Sequence, residues 1–175
     1  IRLYEYYLRY MEDGRDVYDV LLAAAGGKCP FCGGIGRPRN LDHYLPKAQF
    51  PTFSFLPLNL VPSCRDCNME DKGTNFAQNA KDQVIHPFLD RDHFFFDQWI
   101  FAKYTPGKGR PGEVDFYVDP PKGWPPLDAM RVKVHFDEFS INEKYRIKSA
   151  PEVSDVECQL KSYLKKNTLD EFKED

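Results

Sequence analysis

Two pairs of cysteines, Cys29-Pro30-Phe31-Cys32 and Cys64-Arg65-Asp66-Cys67, frame the stretch where the chain's most reactive side chains gather. Each C-x2-C pair bends back on itself and offers two thiolates to one ion, so the four together suit a tetrahedral, structural Zn2+. Residues 33 to 63 separate the pairs, a spacer longer than the usual gap of about 15 to 20, so the metal closes a sizeable insert. Within that insert Asp42 and His43 stand side by side in Leu-Asp-His-Tyr-Leu-Pro, and Asn59 sits in the apolar run Leu58-Asn59-Leu60-Val61. Asn68 directly follows the last cysteine. Imidazole is the natural proton acceptor for a water near neutral pH, while carboxylate and amide oxygens suit hard divalent cations such as Mg2+ or Mn2+. The cysteines alone fit a plain zinc ribbon equally well; what they enclose argues for chemistry.

These side chains need elements to hold them. Arg39 to His43 reads as a first strand and Leu58 to Val61, bounded by Pro57 and Pro62, as a second, the two forming a small hairpin. An Asn within such a run must satisfy its amide, so Asn59 is expected to hydrogen-bond across the hairpin. A helix is expected to begin near Cys64, with Ser63 as its cap and Asp66 completing a loose capping box. Cys64 and Asn68, four residues apart on that helix, share a face. Lys72 extends the same side and is a candidate phosphate contact, as is Arg39 at the start of the first strand; a solvated lysine is the alternative for Lys72.

In order and spacing, CPFC, LDHYLP, PLNLVPSC and CRDCNMEDKG resemble the HNH nuclease family in its zinc-stapled, McrA-like branch, over residues 29–73 of the 175. The resemblance implies a ββα-metal core whose first strand carries the Asp-His pair. It implies that His43 is the general base, that Asp42 and Asn68 bind a catalytic Mg2+ or Mn2+, and that Asn59 holds the loop bearing His43. The implied products are a 5′-phosphate and a 3′-hydroxyl. At the family's third position, often His, this chain has Asn68, which leaves fewer soft ligands and favours hard cations. His86 and His93 are the candidates to substitute from outside the motif, although His86, in Val-Ile-His-Pro-Phe, reads as a core-edge residue. DNA is the expected substrate, with structured RNA such as tRNA, or a non-catalytic zinc module binding nucleic acid or protein, as alternatives. By analogy with small HNH effectors of restriction and phage defence, a regulatory partner such as an ATPase is expected.

Composition sets the outer bounds. With 42% hydrophobic residues the chain can bury one good core with a smaller lobe appended. No run approaches the ~18 apolar residues of a membrane span, and four cysteines at metal spacing fit a reducing, cytoplasmic setting. The chain opens on Ile1, which leaves its true start and any targeting segment open. A net charge of −3 is awkward for gripping a polyanion, so a partner subunit or an oligomer is expected to supply part of that affinity.

The expected class is α+β, divided into a helical segment (1–28), a zinc-stapled core (29–86) and an α+β extension (87–175). In the first segment the apolar stripe of Tyr4, Tyr7, Leu8 and Met11 resumes at Val17, with Gly14 interrupting two helices. Its tyrosines are expected to pack rather than to stack on bases. In the extension, Val114 to Val118 and the alternating Arg131 to Phe139 read as strands of a small antiparallel sheet. Val153, Val156, Leu160, Tyr163 and Leu164 mark a C-terminal amphipathic helix. Pro106 to Gly112 reads as a basic hairpin tip, and the leftover Cys158 as a buried thiol.

Overall fold

The computed structural model describes residues 4–8 and 10–165. It is a mixed α+β structure with two separate two-stranded antiparallel sheets. The first sheet pairs β1 (Asn40–His43) with β2 (Leu60–Ser63), Asp42 opposite Val61 and His43 opposite Leu60. Side chains alternate across a strand, so this register sorts the hairpin into two faces. Leu41 and Leu60 pack with Tyr4 and Tyr18 of the N-terminal segment, and Val61 packs into the cysteine-centred core. Leu41 lies opposite Pro62 in the register, and its N–H donates outward, off the strand pair, to Tyr18 Oη at 3.2 Å. Helix α1 (Glu12–Ala23) thereby covers the edge of β1.

A π-helical turn, Tyr4–Leu8, precedes α1. The chain breaks between these elements at Met11, not at Gly14, which lies within α1. A Cβ on Gly14 would fall 1.7 Å from the Tyr7 carbonyl oxygen, so glycine is there to let the N-terminal turn pack directly on the helix. After β2 the chain enters a second π-helix, Asp66–Lys72, called the site helix below. Its wide winding is visible in the bond from Gly73 N to Asn68 O at 3.0 Å, five residues apart. Ser63 does not cap it: Ser63 remains in β2 and its hydroxyl donates to the Cys64 carbonyl at 3.1 Å.

The extension corrects two expectations. Val114 to Val118 does lie in a strand, β4 (Glu113–Val118), but its partner is β3 (Ile100–Thr105), joined through the tip at residues 106–112. Arg131 to Phe139 is not a strand; its first eight residues end α3 (Pro126–Glu138), with Phe139 at the cap. The buried positions are Asp128, Arg131, Val132, His135, Phe136 and Phe139, a spacing of three and four that is helical. Three of them are polar, which hid the helical stripe and left only the fortuitous alternation of Val132, Val134 and Phe136. Arg131 is held by Asp90, Nη1 to Oδ1 at 2.7 Å, and by the carbonyls of Gln83 and Val84 at 3.0 Å each. Ser140, with φ 48°, turns the chain into α4 (Ile141–Leu164), which packs on β4 and is longer than the C-terminal stripe alone indicated. Cys158 is exposed on α4, not buried. A short helix, α2 (His93–Phe96), leads into β3. No helix among the described residues is long and apolar enough to cross a membrane.

Candidate active site and metal staple

The four cysteines lie at the centre of the main core, with Phe31, Val61, Val132, Phe136, Phe139 and Ile141 around them. All four are buried, and their sulfurs lie within 4.8 Å of one another, close enough to share one structural metal ion. The first pair is folded by a knuckle in which Gly33 and Gly34 take φ of 60° and 90°, values that cost glycine nothing. Gly36 N donates directly to Cys32 Sγ at 3.2 Å, and the knuckle is closed by the backbone bond from Cys29 N to Gly36 O at 2.9 Å. A Cβ on Gly36 would lie 2.5 Å from Cys64 Sγ, so only glycine fits beside the cluster. Hydrogen bonds from Cys32, Cys64 and Cys67 push the Cys29 thiol down; Cys32 is raised by Cys29 but brought down by Cys64 and Cys67 to about 7; Cys64 and Cys67 are pushed up, chiefly by Cys29. Four thiols this close cannot all ionise unaided, and a cation among them would deprotonate all four.

The second cluster lies beside the staple. A cavity of ≈ 570 Å³ is lined by Asp42, His43 and Asn68, with Arg39, Lys47, Tyr4 and Tyr18 around them. A larger cavity, ≈ 840 Å³, lies between Tyr44 and the loop through residues 74–84, but no histidine or cysteine lines it. His43 is buried beneath Tyr4, whose ring meets the imidazole edge-on with centroids 4.4 Å apart. His43 Nε2 lies 2.9 Å from Ser54 O. A carbonyl can only accept, so Nε2 carries the proton and Nδ1 keeps the lone pair. Burial holds this imidazole down to about 4; the Ser54 carbonyl pulls upward, while the cations Lys47 and Lys72 push further down.

Asp42 is also buried, and its carboxyl is raised above the usual range by burial, against the opposing pull of Lys72. Lys72 Nζ lies 3.0 Å from Asp42 Oδ2 and also donates to His43 O at 2.9 Å. Asp42 Oδ2 is a buried oxygen whose partner is this charge contact, with no aligned hydrogen bond. Lys72 was expected to be solvated or to meet a phosphate; it is buried and engaged by Asp42 instead. Asn68 is half-buried on the cavity wall. Arg39 is exposed at the rim.

Asn59 lies in a single 3-10 turn, Pro57–Asn59, just before β2. Its Oδ1 accepts from Leu45 N at 2.7 Å, and its Nδ2 donates to Leu45 O at 3.1 Å and Phe53 O at 3.0 Å. This one side chain spans both ends of the loop between His43 and Ser54, the residues joined by the imidazole. His86 and His93 are elsewhere. His86 uses both ring nitrogens, Nε2 on Leu58 O at 2.9 Å and Nδ1 on Phe88 N at 3.2 Å. His93 lies against Trp124 and 3.2 Å from Asp128. Sequence reasoning missed Lys47, half-buried on the cavity wall with its ammonium 5.3 Å from the Tyr4 ring centroid. Its only sequence signal was a cation four residues after His43.

Fold and site together define an α+β chain with four clustered cysteines able to hold one structural metal ion, beside a buried Asp-His pair. The chain is similar to protein ea31 of Escherichia phage lambda, 45% identical over 165 residues, which is 94% of this chain and 55% of that protein. It is also similar to the Septu protein PtuB of Bacillus thuringiensis, 29% identical over 91 residues, covering 46% of this chain and 34% of that one. The chain thus spans about half the length of the phage relative and a third of the Septu relative. No family model and no solved structure matches.

Proposed function

We propose that the chain is a divalent-metal-dependent endonuclease of the HNH type, hydrolysing phosphodiester bonds in DNA, with Zn2+ as the structural ion of Cys29, Cys32, Cys64 and Cys67. The observation that carries this reading is His43: its Nε2 proton is fixed on Ser54 O, so Nδ1 is the basic nitrogen, in a cavity shared with Asp42 and Asn68. His43 Nδ1 takes the proton of the attacking water. The Asp42 carboxylate, paired with Lys72 through Oδ2, and the Asn68 amide are the residues that would hold Mg2+ or Mn2+. That ion, when bound, supplies charge neutralisation at the scissile phosphate and the departing 3′ oxygen. Asn59 and Ser54 orient the base, and Arg39 and Lys47 at the cavity attract the phosphate backbone. Hydrolysis leaves a 5′-phosphate and a 3′-hydroxyl.

The similarity to PtuB and to a phage protein supports a place in phage defence or phage biology, where a partner subunit such as an ATPase directs the nuclease. The acidic net charge of −3 supports a partner or an oligomer that shares the grip on nucleic acid. The test is incubation of the purified chain with supercoiled plasmid, single-stranded DNA and total tRNA, each with Mg2+, with Mn2+ or without either. Metal-dependent cutting of DNA is the expected result. Cutting of tRNA alone would move the substrate to RNA, and a folded, metal-loaded chain that binds DNA without cutting would make it a binding module.

A further inference from the structure

Four thiolates around one divalent ion leave a net charge of about −2 in a buried site, and such charge is costly without a counterion. Among the described residues, Lys144 brings a cation to one of the site's sulfurs. Lys144, on the first turn of α4, brings its ammonium to 3.4 Å from Cys67 Sγ, donates to Phe139 O at 2.9 Å and pairs with Asp71. An ammonium has three protons, and here each has an acceptor. Cys67 and Asp71 both belong to the site helix, which also carries Asn68 and Lys72. The lysine stands 77 residues from Cys67 in the chain, outside the motif that supplies the ligands.

We infer that Lys144 is a positioning residue of the metal staple: its ammonium hydrogen-bonds the Cys67 thiolate and offsets the cluster's charge. By also gripping Asp71 it locks the site helix, and with it Asn68, onto α4. The inference rests on the zinc reading above. Groups that donate to or orient metal ligands commonly contribute 10- to 100-fold to metal affinity, and Lys144 does so for a sulfur.

The test uses the full chain loaded with Zn2+ or Co2+, comparing the parent with Lys144→Met, which keeps the aliphatic stem and loses the charge and donors. Zn2+ transfer to a chromogenic chelator is expected to run about 10-fold faster or more in Lys144→Met. The sulfur-to-cobalt charge-transfer band is expected to move to longer wavelength, because a thiolate without its donor gives up an electron more readily. Lys144→Arg, which retains charge and donors, is expected to recover most of both. Should Lys144→Met not fold, Lys144→Gln, which keeps a neutral donor and loses the charge, is expected to release Zn2+ faster than the parent. Parental release and an unshifted band in a folded, metal-loaded Lys144→Met or Lys144→Gln chain would overturn the inference. Failure of the parent to hold one metal ion per chain would instead overturn the zinc reading beneath it.

Discussion

Lys72 Nζ stands 3.0 Å from Asp42 Oδ2, with both side chains buried, so the carboxylate beside His43 is held by a cation from the neighbouring helix. The same ammonium donates to the His43 carbonyl. One lysine therefore joins β1 to the site helix across the two residues on which the proposed chemistry depends.

Removing one partner of a buried pair leaves an uncompensated charge and costs about 3–5 kcal/mol. Lys72→Met should lower unfolding stability by that order. Lys72→Met combined with Asp42→Asn should cost less than the lysine change alone, since no lone carboxylate remains. Urea titrations of the parent and the two variants decide the point; a Lys72→Met midpoint equal to the parent's would show that the pair holds nothing.

Asn59→Ala deletes three hydrogen bonds to Leu45 and Phe53 and strands their backbone groups. At about 1–3 kcal/mol for each buried group left unsatisfied, a loss of about 3 kcal/mol is expected. Amide hydrogen exchange should accelerate in residues 44–54 before it does in α3. Uniform exchange across the chain would contradict the assignment of Asn59 to this loop.

The hairpin and the staple were legible in the sequence because ligand spacing and a proline-bounded apolar run are local facts. What escaped depends on contacts distant in sequence. The helical face of α3 carries Asp128, Arg131 and His135, which are buried because Arg91, Asp90 and the Phe31 carbonyl satisfy them. No hydrophobic pattern reports polar side chains that pair inside. Lys72 looked like a surface lysine because Asp42, thirty residues earlier, is brought to it only by the fold. Lys144 was invisible for the same reason, and the exposure of Cys158 was illegible because a lone thiol carries no sign of its burial.

His43, held at about 4, should remain neutral and able to accept a proton throughout the neutral range. Its folded-state value lies below the unfolded value of about 6.5, so folding disfavours the protonated ring. Stability is therefore untouched by this group above pH 6.5, declines as pH falls through 6.5 towards 4, and levels off below. At about 1.4 kcal/mol per pKa unit the loss approaches about 3 kcal/mol. His135, fully buried and also held at about 4, acts in the same direction. An NMR titration of the imidazole resonances should place the His43 midpoint below pH 5; a midpoint near 6.5 would contradict the buried, carbonyl-bonded geometry.

The staple lies in the core, so its loss should be global. Cys67→Ser, or removal of the metal by a strong chelator, should abolish the cooperative thermal transition, since a structural zinc contributes on the order of 10 kcal/mol to folding. Gly36→Ala should weaken metal retention without replacing a ligand, because its methyl group would collide with Cys64 Sγ. Unchanged metal content and melting in both variants would remove the staple from the account.

The central claim is that His43 is the base of a metal-dependent nuclease, and it is tested most directly by comparing parent and His43→Ala on supercoiled plasmid, with and without added Mg2+, at matched zinc content and melting temperature. The account predicts cutting by the parent only with Mg2+, and a fall of about 10²- to 10⁴-fold in His43→Ala. Equal cutting by the two proteins would contradict it.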